Sequence, residues 1–228
     1  MPTKSPEQLI ADCGAWWDTS IIDIHPGRIA IRGYPIEELI GNVRFPDMIW
    51  LMLRGELPTR AQGDLLEAAM VPGVDHGPHA PSIAIAQMAV SCGLPVNGAM
   101  ASAINVLDDV HGGAGEQCME LYREIDAAAG PDGDLVAAAE KVIRGRMAAG
   151  DRIVPGFGHR FHTRDPRAAR LFQMALELEV EADHIQMIRA VELVLHDHPD
   201  EHGRTLPVNI DGAIAAVCGD LGIPPTIA

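Results

Sequence analysis

Aromatic residues are scarce in this chain of 228 residues: only 4% are Phe, Trp or Tyr, although 47% are hydrophobic. The core must therefore be built mainly from Ala, Ile, Leu, Val and Met. Side chains of this kind favour close packing between helices over the aromatic-rich packing of β-sheets. The composition predicts a mostly helical protein, and the length suits one compact domain or a large lobe with a smaller one attached.

Cysteine is also rare, and the four cysteines lie far apart with no CxxC pair among them. This spacing argues against a zinc ribbon, a redox motif and a disulfide framework. The ten histidines offer two other candidates for metal binding: the pair His159 and His162, which lacks a second pair of ligands, and the polar segment 196–202 with His196, His198 and His202. Because that segment completes no recognised zinc or facial-triad pattern, we expect a solvated loop there and no metal site.

Three motifs that identify common enzyme classes are missing. The sequence contains neither GxGxxG nor GxxxxGK[ST], so we expect no loop that cradles nucleotide phosphates. The GxSxG motif is absent as well, which removes the usual sign of a serine hydrolase.

Positive charge is in the minority: 17 Lys and Arg stand against 32 Asp and Glu, a net charge of −15. Such a field repels polyanions, so we expect no nucleic-acid partner. Residues 141–170 are the exception, with eight basic and two acidic residues. Either a small anionic ligand docks there, or the segment is a solvated basic helix face; charge alone does not decide between them.

Long hydrophobic runs are limited to residues 80–107, which contain no charged side chain. Pro81, Gly93 and Pro95 interrupt the run, so we expect two helices hidden in the protein and broken near residues 93–95, not a membrane span. Their small side chains would let another helix approach closely, as at a subunit interface. Residues 1–8 lack the hydrophobic run of a signal peptide, so we expect a cytoplasmic protein.

Local patterns predict a short β-hairpin followed by helices. Residues 20–31 alternate around His25-Pro26-Gly27, which is typical of a hairpin. Apolar spacing predicts helices at 36–39, 47–54, 61–71, 134–149, 166–180 and 182–195. Asp134 is the expected N-cap of the fourth helix and Gly150 its expected stop.

Three titratable residues stand beside glycine-containing turns, where the backbone can approach a ligand closely: His111, His159 and Asp211. Asp211 lies between two apolar stretches, which makes it a candidate general base. The alternative is that Asp211 only caps the following helix and that both histidines are satisfied core residues. Taken one at a time, the residues leave both interpretations open.

Six segments, taken in order, resemble the signatures of the citrate synthase superfamily. They are RGYPIEEL at 32–39, GELPT at 55–59, DHG at 75–77, HGGA at 111–114, GFGHR at 156–160 with DPR at 165–167, and NID at 209–211. Within the superfamily the chain looks most like citryl-CoA lyase and the citrate-synthase-like module of ATP-citrate lyase. The segment 59–74 is short, whereas full-length synthases carry a long helical insertion at this place. Gly77 follows His76 at a position where synthases usually have Glu.

The resemblance implies a role for each candidate residue. His159 matches the histidine that polarises the oxaloacetate carbonyl or takes the citryl hydroxyl proton in reverse. His111 matches the hydrogen-bond donor to the thioester enolate oxygen, and Asp211 matches the base that moves the proton of the acetyl methyl group. The resemblance further implies oxaloacetate binding by His76 and Arg167, and coenzyme A binding by Gly156, Phe157, Gly158, Arg160 and Arg164.

The fold implied by the resemblance is all-α, with a large lobe (1–112 and 209–228) and a small, CoA-binding lobe (113–208). A homodimer or higher homo-oligomer is expected, and no cofactor beyond the coenzyme A of the substrate. The leading function is cleavage of citryl-CoA, or of a related 3-hydroxy-3-carboxyacyl-CoA, to acetyl-CoA and oxaloacetate. His111 is shared with synthases and lacking in the ATP-citrate lyase module, so a short citrate synthase is the first alternative.

A regulatory subunit is the second alternative. Family members continue past the segment that matches Asp211 with a tail that supplies further substrate-binding arginines, whereas this chain stops at Ala228. The second alternative is therefore a CoA-binding subunit with little catalysis of its own.

Overall fold

The computed structural model describes residues 4–131, 133–151, 153–160, 162–180, 183–197, 203 and 205–227. The chain divides into two units, Met1–Gly63 and Asp64–Ala228, and the division falls inside one helix. The predicted lobes, with boundaries at residues 112 and 209, stay a prediction.

The first unit contains a small antiparallel sheet between short helices. Its elements are α1 (Pro6–Ala15), β1 (Ile22–His25), β2 (Arg28–Ile31), β3 (Tyr34–Pro35), α2 (Ile36–Leu39), α3 (Phe45–Arg54) and the start of α4 (Arg60–Met70). In the predicted hairpin Ile22 pairs with Ile31, and Gly27 turns the chain with a positive φ of 75°. The hairpin is confirmed, and β3 extends it to three strands through Ala30 and Pro35.

The second unit contains helices joined by loops, and no strand longer than an isolated bridge occurs among its described residues. Its helices are the end of α4, α5 (Pro81–Ser91), α6 (Val96–Ile104), α7 (Ala114–Ala129), α8 (Leu135–Ala149), α9 (Pro166–Glu177), α10 (Asp183–Asp197) and α11 (Ile210–Asp220). A short 3-10 turn at Val71–Gly73 follows α4, and another at Pro225–Ile227 follows α11. The predicted mostly helical fold is therefore confirmed, together with its short β-hairpin.

Helix α11 lies in the core of the second unit and packs against α7, α9 and α10. Its residues are small, and seven of its eleven are buried. Because small side chains let helix axes come close, three helices can surround this one. The packing matters for function because α11 carries Asp211 in its first turn.

The caps of α8 are as predicted. The Asp134 carboxylate accepts hydrogen bonds from the backbone N–H groups of Val136 and Ala137, and Gly150 ends the helix with a left-handed conformation. Helix α9 ends three residues earlier than predicted, at Glu177, because Glu179 adopts a positive φ of 52°. Residue 182, the predicted start of the next helix, lies outside the described residues.

Residues 80–107 form the two helices predicted, α5 and α6, which pack against each other and are broken at Gly93 and Pro95. The expectation that they are hidden is wrong for the single chain. No residue of α5 is buried, and Ala99 is the only buried residue of α6. None of the described helices is both long enough and apolar enough to span a bilayer.

Candidate active site

A cavity of about 670 Å³ in the second unit gathers most of the predicted site residues. Its lining includes His76, His111, Gly158, His159, Arg160 and Asp211. The volume is in the range of small-molecule binding sites. Residues distant in sequence thus meet around one space, which chain order alone does not reveal.

His111 is held by a tight backbone turn between α6 and α7. Its backbone N–H donates to the Asp108 carbonyl at 3.0 Å, and its carbonyl accepts from the Asp108 N–H at 2.9 Å. The ring atom Nε2 accepts the backbone N–H of Ser82, in the first turn of α5, at 3.2 Å. An amide N–H can only donate, so Nε2 carries no proton and the Ser82 hydroxyl, 3.0 Å away, donates to it as well. The ring proton therefore sits on Nδ1, which makes Nδ1–H a hydrogen-bond donor.

His159 follows a glycine turn that is pinned to the segment before α11. The Gly158 N–H donates to the Pro207 carbonyl at 2.7 Å. The ring Nδ1 of His159 accepts the backbone N–H of His162 at 3.1 Å, so the proton sits on Nε2. Burial lowers the pKa of His159, and the neighbouring His162 lowers it further, against smaller opposing effects of nearby carboxylates. The ring is therefore neutral at pH 7 and presents an N–H donor.

Asp211 is half-buried in the first turn of α11. The interpretation of Asp211 as the helix cap is wrong, because Asn209 caps the helix instead. The Asn209 Oδ1 accepts the backbone N–H groups of Asp211 at 3.0 Å and of Gly212 at 3.1 Å. The Asp211 carboxylate is thereby left to line the cavity.

The turn before His159 lies directly against α11. Gly156 has a φ of +80°, and a Cβ on it would lie 2.5 Å from the Cys118 sulfur and 2.7 Å from the Gly212 Cα. The buried Tyr122 hydroxyl donates to the Gly212 carbonyl at 3.1 Å. Burial raises the pKa of Cys118 to about 12, so this thiol stays protonated and packs as an apolar group.

Arg167 forms an ion pair with the fully buried side chain of Asp165. Its Nε and Nη2 donate to the two carboxylate oxygens at 3.0 and 2.8 Å, and its backbone N–H donates at 3.0 Å. Burial alone would raise the pKa of Asp165, but these hydrogen bonds and the Arg167 charge hold it below its ordinary value. Nη1 of Arg167 makes no hydrogen bond to the described residues, and Arg167 does not line the cavity. Its predicted contact with substrate stays a prediction.

The remaining predicted residues divide by exposure. Gly156 and Phe157 are buried behind the cavity and shape the turn, whereas Arg160 and Arg164 are exposed. Arg160 lines the cavity and Arg164 does not. The roles of all four in binding coenzyme A stay predictions.

Ser82, Asn209 and Asp165 support the site and were not predicted. Asn209 and Asp165 both stand just before helical segments, which is the sequence pattern of an N-cap, so a search for caps could have found them. Ser82 carries no such signal for its contact with His111.

Metal binding finds no support in the part of the chain that the structure describes. No group of three or more His, Cys, Asp or Glu side chains there is arranged to hold an ion. His198 and His202 of the segment 196–202 lie outside the described residues.

The three groups suit one kind of chemistry. Two neutral imidazoles each offer one N–H to an oxygen, and a carboxylate can move a proton to or from carbon. Such a set can form an enolate by removing a proton from carbon, or quench one by returning the proton. Meanwhile the oxygen of a carbonyl or hydroxyl group at the other reacting carbon gains or loses negative charge.

Comparison with known proteins gives a consistent family. The model described as citrate synthase, C-terminal domain, matches residues 13–72 and 62–228. Citrate synthase 2 of Bacillus subtilis (strain 168) is 30% identical over 177 residues, covering 75% of this chain and 43% of that protein. This chain therefore spans less than half the length of that relative.

Two solved structures resemble more than nine tenths of the chain. Citryl-CoA lyase from Hydrogenobacter thermophilus has a TM-score of 0.79 and 31% sequence identity, covering 92% of this chain and 78% of that chain. ATP citrate lyase from Methanothrix soehngenii, solved with citrate and coenzyme A, has a TM-score of 0.80 at 16% identity, covering 97% of this chain and 35% of that chain. The second likeness concerns the fold alone. The predicted citrate-synthase-like fold is confirmed, and the chain belongs to the citrate synthase family.

Proposed function

We propose that this chain cleaves citryl-CoA, or a related 3-hydroxy-3-carboxyacyl-CoA, to acetyl-CoA and oxaloacetate by acid–base catalysis. The observation that carries the proposal is the meeting of His111, His159 and Asp211 around one cavity. The likeness to a citryl-CoA lyase at 31% identity over 92% of the chain supports it. No redox step is needed, because the reaction only transfers protons and breaks one carbon–carbon bond.

Each group has one task in the cleavage. His159 takes the proton of the citryl hydroxyl, and the carbon–carbon bond breaks to give the ketone of oxaloacetate and a thioester enolate. The Nδ1–H of His111 donates to the enolate oxygen, and protonated Asp211 gives its proton to the enolate carbon. His159 ends protonated and Asp211 ionised, and exchange with solvent resets both.

His159 imposes a condition on this direction. To accept the hydroxyl proton at Nε2, the ring must carry its own proton on Nδ1, which now accepts the His162 N–H. Cleavage therefore requires this hydrogen bond to break when substrate binds.

The same hydrogen bond favours a second candidate, a short citrate synthase. With the proton on Nε2, neutral His159 is ready to polarise the ketone of oxaloacetate, while Asp211 removes a proton from acetyl-CoA. The curated relatives that match the chain are citrate synthases. The synthase would also hydrolyse the thioester, which the lyase does not.

Product analysis separates these candidates. The purified protein is given citryl-CoA, and the products are identified by chromatography and mass spectrometry. Acetyl-CoA with oxaloacetate is expected, whereas citrate with free coenzyme A would establish the synthase. Binding of coenzyme A by calorimetry without either pair of products would favour a regulatory, CoA-binding subunit and contradict the lyase.

The substrate's charge fits the residues around the cavity. Arg160 is exposed at the lining and Arg164 is exposed nearby in sequence, so both are proposed partners of the coenzyme A phosphates. His76 lines the cavity, and the Nη1 of Arg167 has no partner among the described residues. We assign these two to the carboxylates of the oxaloacetate part.

We expect the acid limb of kcat/KM against pH to lie below about 6.5, the ordinary pKa of histidine. Cleavage and condensation both need neutral His159, and burial and His162 lower the pKa of His159. A neutral ring is therefore kept to lower pH than in free histidine. The check is the rate profile measured between acid and neutral pH.

His162→Ala is the matched variant for this prediction. It removes the second cause of the shift but keeps the backbone N–H that Nδ1 accepts, so the acid limb should move up toward the ordinary value. A wild-type limb above 6.5, or a limb unmoved in His162→Ala, would contradict the assignment.

We also propose that α5 and α6 form the interface of a homodimer. Their apolar residues Val90, Val96 and Met100 line one exposed concave surface, and residues 80–107 carry no charge. An uncharged surface fits a second copy of itself, because no like charges face each other across a twofold axis.

Met100→Glu is expected to turn this dimer into monomers, measured by analytical ultracentrifugation. The carboxylate would be buried without a partner at the interface. Met100 is 57% exposed in the single chain, and the matched control is Leu176→Glu on α9, where Leu176 is 74% exposed. The control should stay dimeric; equal behaviour of the two variants would place the interface elsewhere.

A further inference from the structure

Four of the hydrogen bonds of Asn209 connect two separate parts of the site. Its backbone N–H donates to the Gly156 carbonyl at 3.0 Å, and its side-chain Nδ2 donates to the Gly158 carbonyl at 3.0 Å. Its Oδ1 accepts the N–H groups of Asp211 and Gly212 at 3.0 and 3.1 Å. One side chain thus holds the turn before His159 and the first turn of α11 together.

Other side chains support only one of these parts. Tyr122 donates to the Gly212 carbonyl in α11. Glu192 accepts the backbone N–H of Val208 at 3.0 Å, just before α11. Neither side chain has a hydrogen bond to the turn 155–158 among the described contacts. Asn209 differs from both because its amide has a donor and an acceptor that point to different segments.

The geometry has a consequence for catalysis. Gly158 directly precedes His159, and the Asp211 N–H is itself bonded to the Asn209 side chain. A displacement of about 1 Å between catalytic groups costs about 10²-fold in rate. Backbone hydrogen bonds from Gly158 to Pro207 and from Asn209 to Gly156 also join the two parts, and the Asn209 amide adds the side-chain link between the residue before His159 and the N–H of Asp211.

We propose that Asn209 is a positioning residue that holds His159 and Asp211 at their working separation. The inference rests on the proposed function. Asn209 does not line the cavity, so it acts through its two neighbours and not on the substrate.

The test is Asn209→Ser, which keeps a good helix-capping oxygen but removes the Nδ2 donor. We expect kcat to fall by about 10²-fold, since the turn before His159 loses its side-chain hydrogen bond to the cap of α11 and can shift. KM should stay within about twofold, because the binding residues are unchanged. Thermal stability should change little, since the cap remains.

Asp134→Ser is the matched control. Asp134 caps α8 with two backbone hydrogen bonds, as Asn209 caps α11, but its carboxylate has no donor that could reach a second segment. Its replacement should leave kcat at the wild-type value.

A second readout does not depend on turnover. NMR titration follows the His159 ring in wild type, Asn209→Ser and Asp134→Ser. Because a released turn admits water, the pKa of His159 should rise toward its ordinary value in Asn209→Ser and stay unchanged in Asp134→Ser.

These measurements separate the two proposals. If wild type turns over and Asn209→Ser retains its kcat, positioning by Asn209 is wrong while the proposed function stands. An equal loss of kcat in both variants would mean that capping alone matters, which also overturns it. If wild type neither cleaves nor condenses, the proposed function fails, and the titration alone decides the role of Asn209.

Discussion

Asp211→Asn is expected to lower kcat for citryl-CoA by about 10³-fold, because an amide of the same shape cannot carry the proton. The substitution keeps the backbone N–H that Asn209 accepts, so the first turn of α11 should persist. The affinity for coenzyme A should be unchanged, since Arg160 and Arg164, the residues proposed to bind its phosphates, keep their side chains. Steady-state kinetics and calorimetric titration with coenzyme A measure the two effects.

Asp134→Asn is the control for this loss. It also replaces a carboxylate by an amide at the start of a helix, here α8, and Asp134 does not line the cavity. Its kcat should match that of the wild type. If Asp211→Asn kept turnover within about tenfold of wild type, Asp211 would not be the group that moves the proton, and both enzyme mechanisms would fail.

Gly156→Ala is expected to lower the free energy of unfolding by about 3 kcal/mol, from backbone strain and overpacking together. The φ of Gly156 is +80°, and a Cβ would lie 2.5 Å from the Cys118 sulfur and 2.7 Å from the Gly212 Cα. The second contact is with backbone, which cannot rotate away. Urea unfolding followed by circular dichroism measures the loss.

Gly150→Ala measures the cost of the backbone strain without the steric clash of an added Cβ. Gly150 has a φ of +107°, but nothing lies within 4 Å of the position of its Cβ. This variant should cost about 1 kcal/mol, since only the left-handed backbone is penalised. Equal losses in the two variants would show that the turn at Gly156 does not press against α11.

Local signals explain which elements could be predicted. The hairpin, the break between α5 and α6 and the caps of α8 depend on residues that are neighbours in sequence. Helix α1 could also have been predicted, because Ser5 and Gln8 form a capping box.

Helices α7 and α11 escaped prediction for different reasons. Helix α7 begins after Gly113, which offers no side chain to cap it. Helix α11 is buried on most sides, so its sequence lacks the alternation of polar and apolar faces that marks a surface helix. The glycine and proline of segment 207–212 predict a turn, although the helix already begins at Ile210.

The sequence indicated candidate residues that line one cavity, but not the contacts around them. His111, His159 and Asp211 were identified from their motifs, and they do line one cavity. The contact between Ser82 and His111 joins residues 29 positions apart and exists only in the folded chain. Nor did the sequence reveal that the Arg167 guanidinium pairs with Asp165.

The most direct test of the account is cleavage of citryl-CoA in D₂O, with the acetyl-CoA examined by mass spectrometry at early times. Protonated Asp211 exchanges with solvent, so the account predicts one deuterium in the methyl group for wild type and almost no acetyl-CoA from Asp211→Asn. Acetyl-CoA without deuterium, or labelled acetyl-CoA formed equally fast by Asp211→Asn, would contradict proton transfer from Asp211 to the enolate carbon.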